Sequence, residues 1–211
     1  MTDKTENKAP GMVREEAVKY DAKRIYTYDD VQSWMQTNED ERWELIDGIP
    51  YAMSRPRPRH QEINAELTSL FTSYLKGKSC RAFPEMEVRL NTNRYDTYLV
   101  PDLLVLCDKN KLGPRGVEGA PDLVIEILSS NSRHDRLIKR NEYAKAGIKE
   151  YWLVDGENQL VEVLLLGEDG IYRGITYGGE KPLIQSALFD DLKINVNDLF
   201  ADSWIDTMEG V

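Results

Sequence analysis

The sequence predicts an α/β fold, with a mixed β-sheet flanked by helices and a hairpin near the N-terminus. Three observations carry this. Apolar runs of strand length alternate with runs of helical period. A tight-turn dipeptide, Asp47-Gly48, joins two alternating stretches. A strand–helix–strand unit between 126 and 152 predicts two parallel strands with a right-handed crossover.

The elements follow in order. Residues 1–24 read as a flexible charged tail, 25–200 as a single domain, and 201–211 as a C-terminal tail. Thr27 caps a short helix, 28–36, with acids in its first turn. "WELIDGIPYAM" is the hairpin, and "SRPRPRH" a stiff basic connector. Over 60–76, Ile63, Leu67, Leu70, Phe71 and Tyr74 recur at helical spacing, and Gly77 stops the helix. "AFPEMEVRL" (82–90) reads as a strand with one wet face, and "YLVPDLLVLCD" (98–108) as a nearly continuous apolar strand. A polar loop, Lys109–Gly119, leads to the buried strand "PDLVIEILS". A helix follows over 131–147, with Asn131 or Ser132 as caps and Gly147 as its stop. "KEYWLVD" is a short apolar strand. Two antiparallel strands then join through Glu168-Asp169-Gly170, and "INVNDLF" is a last helical turn.

Composition narrows the function. The chain has 211 residues, 41% of them hydrophobic and 30% charged, as in ordinary globular proteins. It has no run of 18 apolar residues, so no membrane span is expected. The polar N-terminus lacks an apolar leader core, which predicts a cytoplasmic protein. Cys80 and Cys107 lack metal-type spacing and are expected as reduced thiols. Two histidines close off a multi-histidine zinc site. The net charge of −10 argues against broad, sequence-blind attraction to nucleic acid. It leaves room for a carboxylate metal site and a local basic patch.

Two acids stand out because they interrupt apolar strands. On 122–128, Asp122, Val124, Glu126 and Leu128 share one face, and the two isoleucines share the other. Asp102 follows Pro101, which marks a strand start, edge or bulge. On neighbouring strands Asp102 and Glu126 would converge and repel, unless a cation lay between them. Mg²⁺ (or Mn²⁺) is the hard, oxygen-seeking candidate. The next helix offers Asp135, Lys139 and Tyr143 at i, i+4 and i+8. An exposed Asp135–Lys139 pair is the plainer reading of that spacing. Asp122 reads as a strand-start residue, and Tyr151-Trp152 as sheet core.

Pro101-Asp102 followed by "IEI" resembles the PD-(D/E)XK nuclease superfamily, with Leu128 where its lysine would stand. More closely, the chain is similar to the Uma2 family (domain of unknown function 820) of restriction-type endonucleases. The likeness runs from about Tyr26 to Phe200. It rests on "WELIDGIPYAM", "RPRPRHQEINAEL", "VPDLLV", "PDLVIEILS" and "DRLIKRNEYAKAGIKEYWLVD" in that order. It implies a restriction-endonuclease-like core and Mg²⁺- or Mn²⁺-dependent hydrolysis of DNA. It implies Asp102 and Glu126 as metal ligands, Lys139 as the relocated lysine, and Glu44 as a further metal or water contact. His60, Arg57, Arg59 and Tyr143 become candidate substrate contacts. Family members often look dimeric, and a homodimer would let two sites cut two strands. The rival expectation is a nuclease-fold binding module that does not cut, serving a defence or mobile-element system. A purely structural role would instead keep Asp102 and Glu126 apart and pair them with arginines.

Overall fold

The computed structural model describes residues 24–37, 41–90, 94–129, 133–201 and 203–204. Most of both predicted tails, and the caps expected at Asn131 and Ser132, lie outside the described residues.

The chain runs α1 (Tyr28–Thr37), β1 (Arg42–Ile46), β2 (Ile49–Met53), α2 (Pro58–Leu75), β3 (Arg81–Pro84), β4 (Val88–Leu90), β5 (Thr97–Leu99) and β6 (Leu103–Leu106). A 3₁₀ turn at Lys109–Lys111, β7 (Leu112–Gly113), β8 (Gly116–Glu118) and β9 (Leu123–Ile127) follow. A π-helical turn, His134–Lys139, leads into α3 (Arg140–Ala146). The chain closes with β10 (Glu150–Asp155), β11 (Leu160–Leu166), β12 (Tyr172–Tyr177), β13 (Leu183–Gln185), β14 (Lys193–Asn195) and α4 (Val196–Phe200).

Local chemistry explains several boundaries. Asp30 N–H donates to Thr27 Oγ1 at 3.2 Å, while the Asp30 carboxylate accepts from Thr27 N–H at 2.9 Å. This reciprocal cap starts α1. Pro58 opens α2, where its missing N–H costs nothing. Asp47 (φ 48°) and Gly48 (φ 75°) both take the left-handed conformation that a two-residue hairpin needs.

The strands form two six-stranded sheets, ordered β2-β1-β5-β4-β8-β7 and β12-β11-β10-β9-β6-β3, plus the β13-β14 pair. The α/β class therefore stands, and β9 and β10 are parallel as the crossover unit predicts. The two long strands read in the sequence do not stay whole. Residues 82–90 divide into β3 and β4, and 98–108 into β5 and β6, with the halves in different sheets. The breaks are matched. Glu85 takes φ 46°, and its N–H donates to the Asp102 carbonyl at 3.1 Å, where the other strand crosses. Pro101 lacks the donor a continuous ladder requires. The loop predicted over 109–119 also contributes β7 and β8.

Three apolar layers result. Ile63, Leu67 and Phe71 of α2 pack with Leu123, Ile125 and Ile127 on one face of the second sheet. Val124 and Leu153 on its other face pack with Ile46, Leu99 and Tyr143 between the sheets. Val31 of α1 covers Leu45 and Tyr98 on the outer face of the first sheet.

The cysteines correct the sequence reading. Cys80 and Cys107 are joined as a disulfide with Cα atoms 3.9 Å apart. They flank the Arg81–Leu106 pair of antiparallel β3 and β6, so the sheet brings together two residues 27 positions apart.

Candidate functional site

Strand alternation aims Glu126 into the space between the sheets, on the side of Val124 and Leu128. Glu44 in β1 shares its face with Ile46 and so approaches from the other sheet. At this end of the inter-sheet layer the hydrocarbon gives way to charge. A cleft of about 560 Å³ opens there, lined by Glu44, Asp102, Glu126, Asp135, Lys139 and both histidines, among others.

Lys139 is the centre of the cluster. Its Nζ lies 2.9 Å from Glu44 Oε1, 3.1 Å from Glu126 Oε1 and 3.7 Å from Asp135 Oδ1. The pair with Asp135 that spacing alone suggested is the longest of the three. The π turn enables this arrangement. The N–H of Arg140 reaches back to the carbonyl of Asp135, an i→i−5 bond, so His134, Asp135 and Lys139 all face the cleft. Tyr151 OH fastens the same carbonyl at 3.2 Å.

Glu126 is only 3% exposed, more deeply buried than its facing away from the isoleucines suggested. Charge and hydrogen bonds compensate. Lys139 contacts Oε1, and Tyr143 OH donates to the same oxygen at 2.6 Å. Burial raises the Glu126 pKa well above the usual carboxylate value. Lys139 opposes that shift, while the charges of Asp102, Asp135 and Glu44 add to it. Burial works against the charge on Lys139, yet Glu126, Glu44 and Asp135 outweigh it and hold its pKa well above normal. Lys139 is therefore a fixed ammonium. Burial would raise Glu44 too, but Lys139 and the Val100 N–H bring it below its ordinary value.

Asp102 stands between β5 and β6, with its side chain 18% exposed. Its Oδ2 accepts the Ile127 N–H at 2.7 Å and faces His60 Nε2 at 3.2 Å. That hydrogen bond clamps Asp102 to the strand carrying Glu126. Burial lowers the His60 pKa, but the Asp102 contact and the charges of Glu85 and Asp135 carry it above the ordinary histidine value. Neither Asp102 nor Glu126 pairs with an arginine among the described residues.

The other residues singled out in the sequence differ in placement. Glu44 Oε1 takes the Val100 N–H at 2.9 Å as well as Lys139, which ties the β5–β6 crossing to the ammonium. Arg57 is exposed on the cleft wall, whereas Arg59 donates to the Gly156 carbonyl at 3.0 Å and to Ser203 at 3.2 Å. Tyr143 was expected to reach substrate. It is fully buried, outside the cleft lining, and holds Glu126 from behind. Asp122 anchors a strand start, accepting the Cys107 N–H at 2.7 Å.

The sequence reading passed over His134 and Tyr51. Their rings stand 4.8 Å apart on the cleft wall. His134 Nε2 lies 3.6 Å from Glu44 Oε2, too far for a hydrogen bond. Tyr51 was legible as the hairpin residue opposite Glu44, since cross-strand partners share a face.

The donor set suits a hard cation. Asp102 Oδ1 and Glu126 Oε2 accept no hydrogen bond from the described residues, which leaves one oxygen on each acid for a ligand. Among the described residues, no three His, Cys, Asp or Glu side chains form a ready-made metal cage. Mg²⁺ needs no such cage, since it commonly takes one or two carboxylates and completes its shell with water and phosphate.

A two-sheet α/β fold with acids and a buried lysine at one cleft defines a nuclease-like class of protein. The comparisons specify it further. Residues 27–197 match the model of the Uma2 family, described as "Putative restriction endonuclease", and the chain belongs to that family. A structure titled as a "putative nuclease belonging to DUF820" from Anabaena variabilis superposes with a TM-score of 0.62 at 25% identity. It covers 75% of this chain and 89% of its own. The "Uncharacterized protein slr1290" of Synechocystis is 27% identical over 144 residues, 67% of this chain and 75% of that protein. No described helix is long and apolar enough to cross a membrane.

Proposed function

We propose that the protein is a divalent-metal-dependent endonuclease that hydrolyses DNA phosphodiester bonds in this cleft. One observation carries the reading. Asp102 from the sheet crossing, Glu126 from β9 and Lys139 from the π turn converge in one cleft, although 37 positions separate the first from the last.

Asp102 and Glu126 would hold Mg²⁺ or Mn²⁺ through their remaining oxygens. When bound, such an ion lowers the pKa of a coordinated water and offsets charge on the scissile phosphate. The protein supplies the rest. The Lys139 ammonium, fixed by Glu44 and Glu126, stabilises negative charge developing on the phosphoryl oxygens. Glu44 positions that ammonium and the segment leading to Asp102. His60 orients the Asp102 carboxylate. Arg57 meets flanking phosphates, which positions the strand without reading its bases.

The test is cleavage of plasmid and oligonucleotide DNA with Mg²⁺ or Mn²⁺, beside EDTA and Glu126→Gln controls. Metal-dependent cutting lost in Glu126→Gln is expected. DNA left uncut by the wild type under every metal condition would reject the enzyme and favour the binding module that Leu128, in place of the motif lysine, suggests. Cutting that survives Glu126→Gln would reject the site.

A further inference from the structure

We propose that the strand entering this cleft is unpaired: single-stranded DNA, or the unpaired segment of a flap or bulge. The inference rests on the nuclease reading and specifies its substrate.

The candidate reactive groups lie on the cleft floor. The side chains of Glu126 and Lys139 are 3% and 6% exposed. The enclosing cleft, about 560 Å³, is of the size that surrounds one small ligand. A paired duplex presents its phosphates on a stiff convex surface, with the bases stacked behind them. Lowering one phosphate to such a floor requires local deformation of that surface, at a cost in stacking. An unpaired strand can lower a phosphate and its base together.

The walls suit such a strand. Arg42, Arg55 and Arg57 are exposed there, Arg42 in an ion pair with Glu85 at 3.0 Å, and Pro56 and Pro58 stiffen the backbone of the segment carrying the other two. The Tyr51 and His134 rings, 4.8 Å apart, line the same wall and offer aromatic surface against which a base can stack. Arginines for the backbone beside rings for the bases are the two components of sequence-tolerant single-strand binding. The net charge of −10 gives no long-range field to gather duplex DNA, so affinity has to come from such local contacts.

The test uses the full chain with Glu126→Gln to block cleavage, and Asp102→Asn as a second blocked background should the first fail to fold. Fluorescence anisotropy compares a labelled 30-mer single strand, its perfect duplex, and that duplex with a central bulge. The single strand and the bulge are expected to bind at least about tenfold more tightly than the duplex. Tyr51→Ala should remove at least about fivefold of that preference, as loss of one stacking contact implies. Equal or tighter duplex binding, or Tyr51→Ala weakening all three substrates alike, overturns the inference. Wild-type cleavage of the same substrates in Mg²⁺ separates the two claims. A strand preference in binding with nothing cut upholds the inference and sinks the nuclease reading. Cleavage of duplex as fast as of unpaired strand sinks the inference and leaves the nuclease reading standing.

Discussion

Two glutamates on adjacent strands of one sheet show how a structural acid differs from a candidate catalytic one. Glu126 on β9 is 3% exposed and Glu150 on β10 is completely buried. They occupy opposite faces. Glu126 shares its side with Leu153, between the sheets, and Glu150 shares its side with Trp152, against α2. Glu150 is saturated by neutral donors: the Trp152 indole at 2.6 Å, Ser186 Oγ at 3.1 Å, and the N–H groups of Ala187 and Leu188 at 2.8 and 3.1 Å. These bonds pin the 186–188 segment to the sheet. Among the described residues Glu126 is held on one oxygen only, by a lysine and a phenol, beside three other acids. Burial alone therefore says little about an acid's role. Whether its acceptor capacity is used up says more.

The largest expected effect separates the two in activity. Glu126→Gln should lower DNA cleavage by about a hundredfold or more, or roughly 2.7–4 kcal/mol of barrier. Glu150→Gln should stay within about threefold of wild type, since it touches nothing in the cleft. Single-turnover rates on one oligonucleotide decide this, and equal losses would erase the distinction. Stability should then reverse the order. Glu150→Ala strands an indole, a hydroxyl and two backbone N–H groups, at a cost of about 2–3 kcal/mol. For a chain of this length that is roughly 4–12 °C in melting temperature. An unchanged melting temperature would show that water or neighbouring groups replace the carboxylate.

The legible part of the site followed from periodicity and residue order. Alternation along 122–128 gave Glu126 its face without any tertiary information, and the order of the quoted motifs pointed to Asp102 and Lys139. What stayed hidden has physical causes. Apolar alternation runs on through Glu85 and close to Pro101, so two strands that change sheets looked continuous. A π turn keeps the residues of an α-helix and shifts only its hydrogen bonds, so the facing of His134 left no trace in spacing. The Cys80–Cys107 bond depends on β3 pairing with β6, a contact the split strands concealed. Glu150 drew no notice because three of its four partners lie 36 to 38 positions away in an irregular segment.

A smaller effect should come from behind the site. Tyr143→Phe keeps the ring packed against Tyr151 but removes the hydroxyl that Glu126 accepts. The loss should be about 1 kcal/mol in chemical unfolding, as for an ordinary intramolecular hydrogen bond. A neutral result would show that Lys139 alone satisfies Glu126.

The smallest effect concerns pH and should appear only in metal-free protein, in EDTA. The folded-state pKa of Glu126 is raised, so the folded protein holds its proton more tightly than the unfolded chain does. Its stabilising contribution is then fully present below the unfolded value near 4.5 and is lost as pH rises through the higher folded value. Glutamine carries no such proton. Glu126→Gln should therefore match wild type in stability at the acid end and gain on it across that window. The difference between the two unfolding curves, measured at several pH values, isolates this group from acids common to both proteins. A gain that shrinks as pH rises would mean that Lys139 and Tyr143 stabilise the ionised carboxylate more than burial destabilises it. Glu126 would then be a satisfied structural acid like Glu150, and the contrast between the two strands would fail.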